Sequence, residues 1–371
     1  MSVYVGVMSG TSLDGLDVAV VRFHGRDERP LETEALAFHS APYDSAFRAR
    51  LVSLISEGDA EQICDASFEM GRRIGVAVRE SLELAGLEAS HVRAVGSHGQ
   101  TIWHVPPSDE RGSTLQIGNP SLVAEIAGVD VVADFRARDM AAGGHGAPLT
   151  AYTDRIMFES EEPRLIQNIG GFANVTYLPG RAGGDPIAFD TGPGVALIDG
   201  AVRTLIDGAS FDRDGELAAS GEVNETALQE WLEDPYFAAR PPKSTGREMF
   251  SEERLRRWLA RHAELAVEDI VATITELTAR SIADAYRFVP QTRAGYVCGG
   301  GASNPTLIAR LQALAAPIEI RDLSGLGVDP NAREAIAFAL LARQHVLGIP
   351  ANATWATGAA GRRVLGTLTP A

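Results

Sequence analysis

Two stretches of the sequence share one pattern, in which an apolar run meets a glycine-containing polar turn and a second apolar run follows. The first is residues 3–21, VYVGVMSGTSLDGLDVAVV, and the second is residues 165–177, LIQNIGGFANVTY. Alternating valines before the first turn, and a return through Asp17, predict a β-hairpin with a polar tip. Because each pattern opens about half of the chain, the pair predicts a duplicated fold whose halves face each other across a cleft.

The tip of the first predicted hairpin carries hydroxyl and carboxylate side chains beside glycine backbone. Hydroxyls and bare amides of this kind can cradle phosphate oxygens, while two carboxylates can hold a hydrated magnesium ion or orient a sugar hydroxyl. The alternative is an ordinary polar hairpin turn, since short turns of this composition are common. The polar tip residues are Ser9, Thr11, Ser12, Asp14 and Asp17.

Length and charge limit the classes of protein that this chain can belong to. A chain of 371 residues is long for one hydrophobic core and predicts about two domains. The formal net charge of -16 disfavours nucleic acid and anionic membrane surfaces as partners. The sequence shows no signal-peptide pattern and no apolar run near the roughly 20 residues that span a bilayer, so a cytoplasmic protein is expected.

Rare residue types give two further expectations. Cys64 and Cys298 lie far apart in the sequence and form neither a disulfide framework nor a zinc motif, so both are expected to be reduced thiols. The only lysine of the chain is Lys243, within PPKSTGRE, while all other basic positions apart from histidines are arginine. Lys243 is therefore a candidate for a special role.

A polar cluster, GSHGQTIWH at residues 96–104, follows a short predicted strand at residues 92–95. At the carboxyl end of a strand in an open α/β sheet, such a cluster lies where ligands bind. His98 and His104 could be metal ligands, but their spacing matches no helix face and no cysteine joins them. Hydrogen bonding is the favoured role of both imidazoles.

A second polar segment, residues 134–149, follows a predicted strand at residues 129–133. It combines paired charges with glycines and is interpreted as an active-site loop or an interdomain hinge. Arg136 and Arg138 could bind a carboxylate or a phosphate in forked geometry. Alternatively they form salt bridges with Asp134 or Asp139.

Asp190 stands between an apolar predicted strand and the rigid turn of the FDTGPG motif. A carboxylate held by rigid backbone and partly shielded suits a general base, although it could also cap the following helix. Three glycines, GGG at residues 299–301, then precede a predicted helix that starts at Asn304 or Pro305, where backbone amides can attract a nucleotide phosphate. No GxxxxGK motif occurs, which excludes a P-loop, and no GxGxxG motif precedes a helix.

Helical spacing of apolar residues predicts core helices at residues 43–56, 60–85 and 267–288, and a later helix at residues 331–345 carries Glu334 in its first turns. In the predicted helices at residues 60–85 and 267–288, the residues expected to face the core are Ile63, Phe68, Met70, Ile74, Val78, Ile270, Ile274, Leu277 and Ile282.

Nine motifs together resemble the bacterial anhydro-N-acetylmuramic acid kinase family, in the expected order and over nearly the whole chain. They are GVMSGTSLDGLDVAVV, GSHGQTIWH, QIGNPSLVAE, DFRARDMAAGGHGAPL, NIGGFANVTYLP, FDTGPG, PPKSTGRE, GGGASNP and NAREAIAFALLA. His145 stands where the family pattern suggests glutamine. The resemblance implies an α/β fold of the acetate and sugar kinase, Hsp70 and actin class, with two duplicated ribonuclease H-like domains across a ligand cleft.

Two domains are expected on this basis. Residues 1–130 with 350–371 would form domain I, with the first hairpin and part of the sugar site. Residues 131–349 would form domain II, with the second hairpin, the nucleotide and the catalytic carboxylate. A homodimer is also expected.

The resemblance further implies that water opens the 1,6-anhydro bridge of 1,6-anhydro-N-acetylmuramic acid while the γ-phosphate of ATP passes to O6, with Mg²⁺ as a cofactor. The product would be N-acetylmuramic acid 6-phosphate, an intermediate of peptidoglycan recycling. Asp190 would activate the water, Glu334 would assist at the sugar, and both carboxylates are candidate magnesium ligands. Phosphoryl transfer asks the protein mainly for positioning and charge neutralisation, which suits these residues.

The remaining site residues follow from the same motifs. Those expected at the nucleotide are Gly10, Thr11, Ser12, Leu13, Asp14, Gly15, Leu16, Asp17, Gly170, Gly171, Asn174, Gly299, Gly300 and Gly301. Those expected at the sugar are His98, Gln100, Thr101 and Trp103.

Three alternative functions stay open at this point. Levoglucosan kinase shares the fold and much of the motif set, while it acts on an anhydrosugar without the N-acetyl and lactyl groups. A non-catalytic actin-like or sugar-sensing module would be expected to lose Asp190 or the glycine turns, and both are present. An esterase or peptidase with Ser9, Ser12 or Ser97 as nucleophile lacks the GxSxG elbow.

Overall fold

The computed structural model describes residues 2–10, 12–29, 32–108, 111–180, 183–241, 243–246 and 249–371. The chain forms two compact units, one of Met1–Met157 with Asn331–Ala371 and one of Phe158–Pro330. Each unit contains one β-sheet packed with helices.

The strands, numbered in chain order, are β1 (Ser2–Ser9), β2 (Gly15–His24), β3 (Glu32–Pro42), β4 (Val92–Ser108), β5 (Arg111–Ile117), β6 (Val131–Ala133), β7 (Arg164–Ile169), β8 (Ala173–Leu178), β9 (Ile187–Gly192), β10 (Ala294–Cys298), β11 (Glu319–Asp322) and β12 (Thr367–Thr369).

The α-helices are α1 (Ser45–Glu57), α2 (Ala60–Leu84), α3 (Pro120–Ala127), α4 (Phe135–Met140), α5 (Thr150–Phe158), α6 (Ala196–Leu205), α7 (Glu216–Ser220), α8 (Glu225–Leu232), α9 (Pro235–Ala238), α10 (Glu252–Arg261), α11 (Val267–Ala285), α12 (Pro305–Leu314), α13 (Arg333–Val346) and α14 (Thr354–Thr357). Short 3-10 helices lie at Ala89–His91, Arg213–Gly215, Tyr286–Phe288, Gly300–Ser303 and Leu323–Leu326.

The two sheets repeat one topology. In the first, the order is β12-β6-β4-β1-β2-β3, with β5 also paired to β4, and in the second it is β11-β10-β7-β8-β9. In each sheet three consecutive strands form an antiparallel meander. The next two core strands then lie parallel to the first strand of that meander and on its other side. This shared order confirms the duplicated α/β fold that the paired hairpins predicted, and each predicted hairpin opens one of the two meanders.

The division into units differs from the expected boundaries at 130/131 and 349/350. Helix α13 lies against β1 and β4 of the first sheet. The buried guanidinium of Arg333 in α13 also donates to both carboxylate oxygens of the buried Asp154 in α5. These contacts join α5 to α13, and α13 to the sheet of the first unit. Both helices therefore belong to the first unit, and the boundaries lie at 157/158 and 330/331.

Two segments expected as loops are regular structure. The cluster at residues 96–104 lies within β4 rather than after a short strand, because β1, β5 and β6 all supply hydrogen-bonding partners to β4. Residues of the expected active-site loop form helix α4. Asp190 likewise lies within β9 rather than beyond its end.

The predicted helices are present with small shifts at their ends. Met70, Ile74 and Val78 are buried in α2 as predicted, whereas Phe68 is 41% exposed and does not face the core. The four predicted core residues of α11 are all buried. Asn119 and Asn304 cap α3 and α12, since each amide oxygen accepts a backbone N–H of the first turn.

The part of the chain that the structure describes contains no helix long and apolar enough to cross a lipid bilayer.

Gly6→Ala should destabilise the first unit. A Cβ atom at this position of β1 would lie 1.8 Å from the backbone oxygen of Ala335 in α13, so the helix would have to move. We expect a loss of about 1–3 kcal/mol or more in the free energy of unfolding, which urea denaturation measures. Gly184→Ala is the control, because no heavy atom lies within 4 Å of its added Cβ. Equal urea midpoints for the two variants would contradict the prediction.

Candidate active site

The tip of the β1–β2 hairpin is a compact turn. The amide of Leu13 donates to the carbonyl of Gly10 (3.3 Å), and Leu13 adopts a positive φ of 56°. The hydroxyl of Ser12 donates to the carboxylate of Asp14 (2.7 Å). Leu13 and Leu16 are buried, so neither side chain is available to a ligand. Thr11, also expected here, lies outside the described residues.

Two glycines of this turn have different surroundings. A Cβ at Gly15 would lie 2.6 Å from the carbonyl oxygen of Ala41 in β3, so strand pairing requires glycine there. A Cβ at Gly10 would meet nothing closer than the Ser12 hydroxyl oxygen at 3.4 Å. Gly10 therefore leaves the backbone open to close approach by a ligand.

Ser9, at the end of β1, is tied into the protein. Its hydroxyl donates to the side-chain oxygen of Gln100 (2.5 Å) and lies 2.6 Å from the hydroxyl of Tyr43. Tyr43 in turn donates its amide to the carbonyl of Asp14 (2.9 Å). Burial raises the pKa of Tyr43. Ser9 thus stabilises the hairpin, because its hydroxyl is engaged with Gln100 and Tyr43.

The four expected sugar residues on β4 fall into two classes. His98 and Gln100 are buried and hydrogen-bonded within the protein. Trp103 is 53% exposed, and its indole N–H donates to the hydroxyl of Ser113 (2.8 Å). Thr101 is partly buried and accepts a bond from the amide of Gln116 (3.1 Å). Only Thr101 and Trp103 are therefore open to a ligand.

The imidazole of His98 is neutral, and its hydrogen bonds indicate which ring nitrogen carries the proton. Its Nδ1 lies 2.8 Å from the carbonyl oxygen of Gly99, so Nδ1 carries the proton, and Nε2 accepts from the guanidinium of Arg136 (2.9 and 3.2 Å). Burial and the charge of Arg136 lower the pKa of His98 to about 3. Burial also lowers the pKa of Arg136 to about 10.

Arg136 therefore donates to a neutral imidazole rather than to Asp134 or Asp139, the alternative partners that the sequence suggests. It also donates to the carbonyl of Gly146 (2.7 Å). Asp139 accepts instead from the amide of Gly146 and from the side chains of Asn352 and Thr357. The hydrogen bonds of Arg136 and Asp139 hold the segment after α4 to the rest of the first unit.

Glu334 lies in the first turn of α13, as predicted. Burial raises its pKa, and the nearby charge of Asp17 adds to the increase, while Arg333 and Arg136 oppose it. Asp17, at the start of β2, accepts a hydrogen bond from Ser40 (2.5 Å). The first unit thus brings the expected residues Glu334 and Asp17 close together.

The turn of the second hairpin lies beside the start of α6. The carbonyls of Gly170 and Gly171 accept the amides of Val195 and Ala196 (2.9 and 3.0 Å). Asn174 pairs with Asp190 in the β8–β9 register. The second unit thus places the expected residues Gly170, Gly171, Asn174 and Asp190 on adjoining elements.

The three consecutive glycines after β10 do not share one role. A Cβ at Gly301 would lie 2.4 Å from a methyl of Ile169, and one at Gly299 would lie 2.5 Å from the side-chain oxygen of Asn168. No heavy atom lies within 4 Å of a Cβ at Gly300. Packing therefore requires Gly301 and Gly299, while Gly300 is open to a ligand.

Asp190 is held from three directions. Its amide donates to the carbonyl of Lys243 (3.1 Å), and its carbonyl accepts from the hydroxyl of Tyr236 (2.6 Å). One oxygen of its carboxylate accepts the amide of Thr245 (2.8 Å). The side chain is thus oriented by backbone, which suits a proton acceptor whose position must not vary.

The described carboxylates are not grouped as in a metal site built from many protein ligands. Within the described ranges, no three or more His, Cys, Asp or Glu side chains group in a way that could hold a metal ion. Mg²⁺ in phosphoryl-transfer enzymes usually takes one or two carboxylates, water and phosphate oxygens. That pattern needs no larger cluster.

Sequence reasoning missed several residues that surround these candidates. Tyr43, Tyr236 and Thr245 contact Ser9 or Asp190, but nothing in the local sequence joins them to these positions. Lys243 could be singled out from the sequence, because it is the only lysine of the chain. Burial and the charge of Arg287 lower its pKa to about 8.

His98→Gln should flatten the dependence of stability on pH. An amide oxygen can accept the bond from Arg136 but does not titrate. His98 binds a proton near pH 6.5 in the unfolded chain and only near pH 3 in the folded protein. The stability due to the neutral imidazole is therefore complete above pH 6.5 and is lost as the pH falls toward 3.

The wild-type free energy of unfolding should fall more steeply than that of the variant below neutral pH, by up to about 1.4 kcal/mol per pH unit. Urea denaturation across this range measures both slopes. Parallel slopes would show that His98 does not titrate as described.

Comparison with known proteins places these features in a family. The sequence profile of anhydro-N-acetylmuramic acid kinase matches residues 2–371. A Gloeobacter violaceus protein named anhydro-N-acetylmuramic acid kinase is 46% identical, over 99% of this chain and 98% of its own. A Pseudomonas paraeruginosa protein of the same name is 45% identical, over 99% of both chains.

Among solved structures the similarity is distant. The (R)-2-hydroxyglutaryl-CoA dehydratase component A of Acidaminococcus fermentans is 13% identical, over 93% of this chain and 98% of its own, with a TM-score of 0.48. The sequence matches are close and confirm the resemblance that the nine motifs indicated. Because the profile spans the chain and both relatives align over nearly their whole length, this chain belongs to the anhydro-N-acetylmuramic acid kinase family.

Proposed function

We propose that this protein converts 1,6-anhydro-N-acetylmuramic acid, ATP and water into N-acetylmuramic acid 6-phosphate and ADP. The family match over residues 2–371 carries the proposal. Water adds to C1 of the sugar, the bond between C1 and O6 breaks, and O6 forms a bond to the γ-phosphorus as ADP leaves. The water proton must pass to a base.

Asp190 is the proposed base. A base must lie within hydrogen-bond reach of the water and hold one orientation, and the carboxylate of Asp190 is oriented by the amide of Thr245 (2.8 Å). Its backbone is fixed on both sides, through Lys243 and Tyr236. The N-cap position of the following helix α6 is Val195 rather than Asp190.

Glu334 is proposed to assist at the sugar or at the metal. Its pKa is raised by burial, and the two arginines Arg333 and Arg136 stabilise its ionised form. Asp190 and Glu334 are the carboxylates proposed to contact Mg²⁺, which when bound would neutralise charge on the transferring phosphoryl group.

The nucleotide is proposed to bind at the open glycine turns. Gly10, Gly170 and Gly300 are the expected nucleotide residues at which an added Cβ would meet no heavy atom closer than 3.4 Å. A phosphate can approach backbone amides closely where no side chain intervenes. The sugar is proposed to contact Thr101 and Trp103, with the buried His98 and Gln100 supporting that strand.

Several finer features belong to the same proposal. The lactyl and N-acetyl groups distinguish the proposed sugar from levoglucosan, and parallel assays on the two anhydrosugars test that preference. The protein is proposed to act in the cytoplasm as a homodimer, and sedimentation analysis tests the dimer.

Gly10→Val should weaken ATP binding more than sugar binding. An added Cβ meets no heavy atom closer than 3.4 Å, so the branched carbons of valine would occupy space that the phosphates are proposed to need. Isothermal titration calorimetry with each ligand measures the two affinities. Gly15→Val is the matched comparison, because its side chain would collide with Ala41 and destabilise the fold instead. Unchanged ATP affinity in a folded Gly10→Val protein would remove this turn from the nucleotide site.

Asp190→Asn should lower kcat by roughly two to four powers of ten, the usual contribution of a general base. Asparagine keeps the size and the acceptor for Thr245 but does not take a proton at neutral pH. The melting temperature and ATP affinity should change little. Near-normal kcat in a folded variant would remove Asp190 from the mechanism and leave Glu334 as the next candidate.

A further inference from the structure

Lys243, the only lysine in the chain, has a partly buried side chain between two aromatic rings. Its ammonium nitrogen lies 4.4 Å from the ring centroid of Tyr236 and 5.4 Å from that of Phe288. The same nitrogen donates to the carbonyl oxygen of Tyr236 (3.1 Å). Arg287 and Asp190 are the charged groups whose fields act on it. A cation over aromatic faces, with a carbonyl acceptor, is a specific arrangement.

The lysine side chain and Asp190 share their partners. The backbone carbonyl of Tyr236 accepts a hydrogen bond from the Lys243 ammonium, while the Tyr236 hydroxyl donates to the carbonyl of Asp190. The carbonyl of Lys243 accepts the amide of Asp190, and two residues later the amide of Thr245 donates to the Asp190 carboxylate. The bonds form a closed circuit from Lys243 through Tyr236 to Asp190 and back.

Residues 243–246 belong to no helix or strand. No regular backbone ladder therefore fixes the amide that holds the Asp190 carboxylate. The side chain of Lys243 is a contact that ties this segment to α9, through Tyr236.

We propose that Lys243 is a positioning residue of the reaction, whose ammonium holds residues 243–245 against Tyr236 and so fixes the carboxylate of Asp190 for proton transfer. The proposal rests on the proposed function of Asp190. A residue that only stabilised the fold would have no particular effect on kcat.

The first test compares Lys243→Met with Lys243→Arg. Methionine has a similar length without charge or donor, so kcat should fall about 10- to 100-fold, as a small misplacement of a catalytic group does, while both KM values change little. Arginine keeps charge, donors and ring contact, and should recover part of the loss. Arg240→Met is the control, since it removes an exposed charge from the same stretch and should leave kcat unchanged.

A kcat of Lys243→Met equal to that of the wild type would overturn the proposal, as would equal loss in the Met and Arg variants. A loss that appeared only in the melting temperature would assign Lys243 to fold stability.

A double-mutant cycle tests whether Lys243 acts through Asp190. On the Asp190→Asn background, Lys243→Met should lower the residual kcat by less than about threefold, because the group that it positions is already inactive. A loss as large as in the wild-type background would show that Lys243 acts by another route.

The single lysine permits a chemical version of the experiment. An amine-acetylating reagent can neutralise only Lys243 and the amino terminus, so the Lys243→Arg protein treated alike is the control for the terminus. Acetylation should lower kcat of the wild type but not of that control. Equal losses, or complete acetylation of Lys243 with no loss, would contradict the proposal.

Hydrogen exchange separates this inference from the proposed function. The amide of Thr245 should exchange faster in Lys243→Met than in the wild type, whatever reaction the protein catalyses. Unchanged protection would overturn the positioning role. Absence of any kinase turnover in the wild type, with faster exchange in the variant, would instead overturn the function and leave the anchoring by Lys243 standing.

Discussion

The first unit depends on direct contact between the backbone of α13 and the strands β1 and β4. Gly6 and Gly96 make this contact, because a Cβ at either position would lie within about 2 Å of a carbonyl oxygen of the helix. The contact brings a segment from near the end of the chain onto its first strand. It also sets the first turn of α13, with Glu334, near Asp17 at the start of β2, where the two carboxyl groups influence each other.

The two units hold their candidate carboxylates by different physical means. Glu334 is surrounded by charges, with Arg333 and Arg136 opposing the effect of burial, while Arg333 is itself neutralised by Asp154. Asp190 is oriented by a backbone amide and by bonds to its own main chain. Charges act over several ångströms and tolerate small movements, whereas an amide donor fixes direction. The second arrangement suits a base that must meet one water molecule.

Sequence patterns predicted the features that local residues determine: both hairpins, the apolar stripe of α11, the start of α12 at Asn304 or Pro305 and the place of Glu334. They did not predict features that require partners from distant positions. The length of β4 depends on β5 and β6, and Asp139 is held by Asn352 and Thr357.

The roles of the glycines also depend on distant partners. Gly15 and Gly301 are required by close packing against Ala41 and Ile169, whereas an added Cβ at Gly10 or Gly300 meets no heavy atom closer than 3.4 Å. A run of glycines in the sequence does not reveal which of them meets a ligand. Only the neighbours that strand pairing and packing bring close distinguish the two kinds.

The irregular segment at residues 243–245 shows how one side chain can affect a carboxylate that is distant in the sequence. Fixing the backbone of three residues costs about 1–2 kcal/mol each. Two backbone bonds with Asp190 and the ammonium bond to Tyr236 each contribute about 1 kcal/mol net, and the cation–π contacts of Lys243 add about 1–2 kcal/mol. Among the described contacts, those of the lysine side chain are thus at least as large as the two backbone bonds with Asp190. Removing the lysine side chain would remove a contribution comparable to the entropy of fixing one or two residues of this segment.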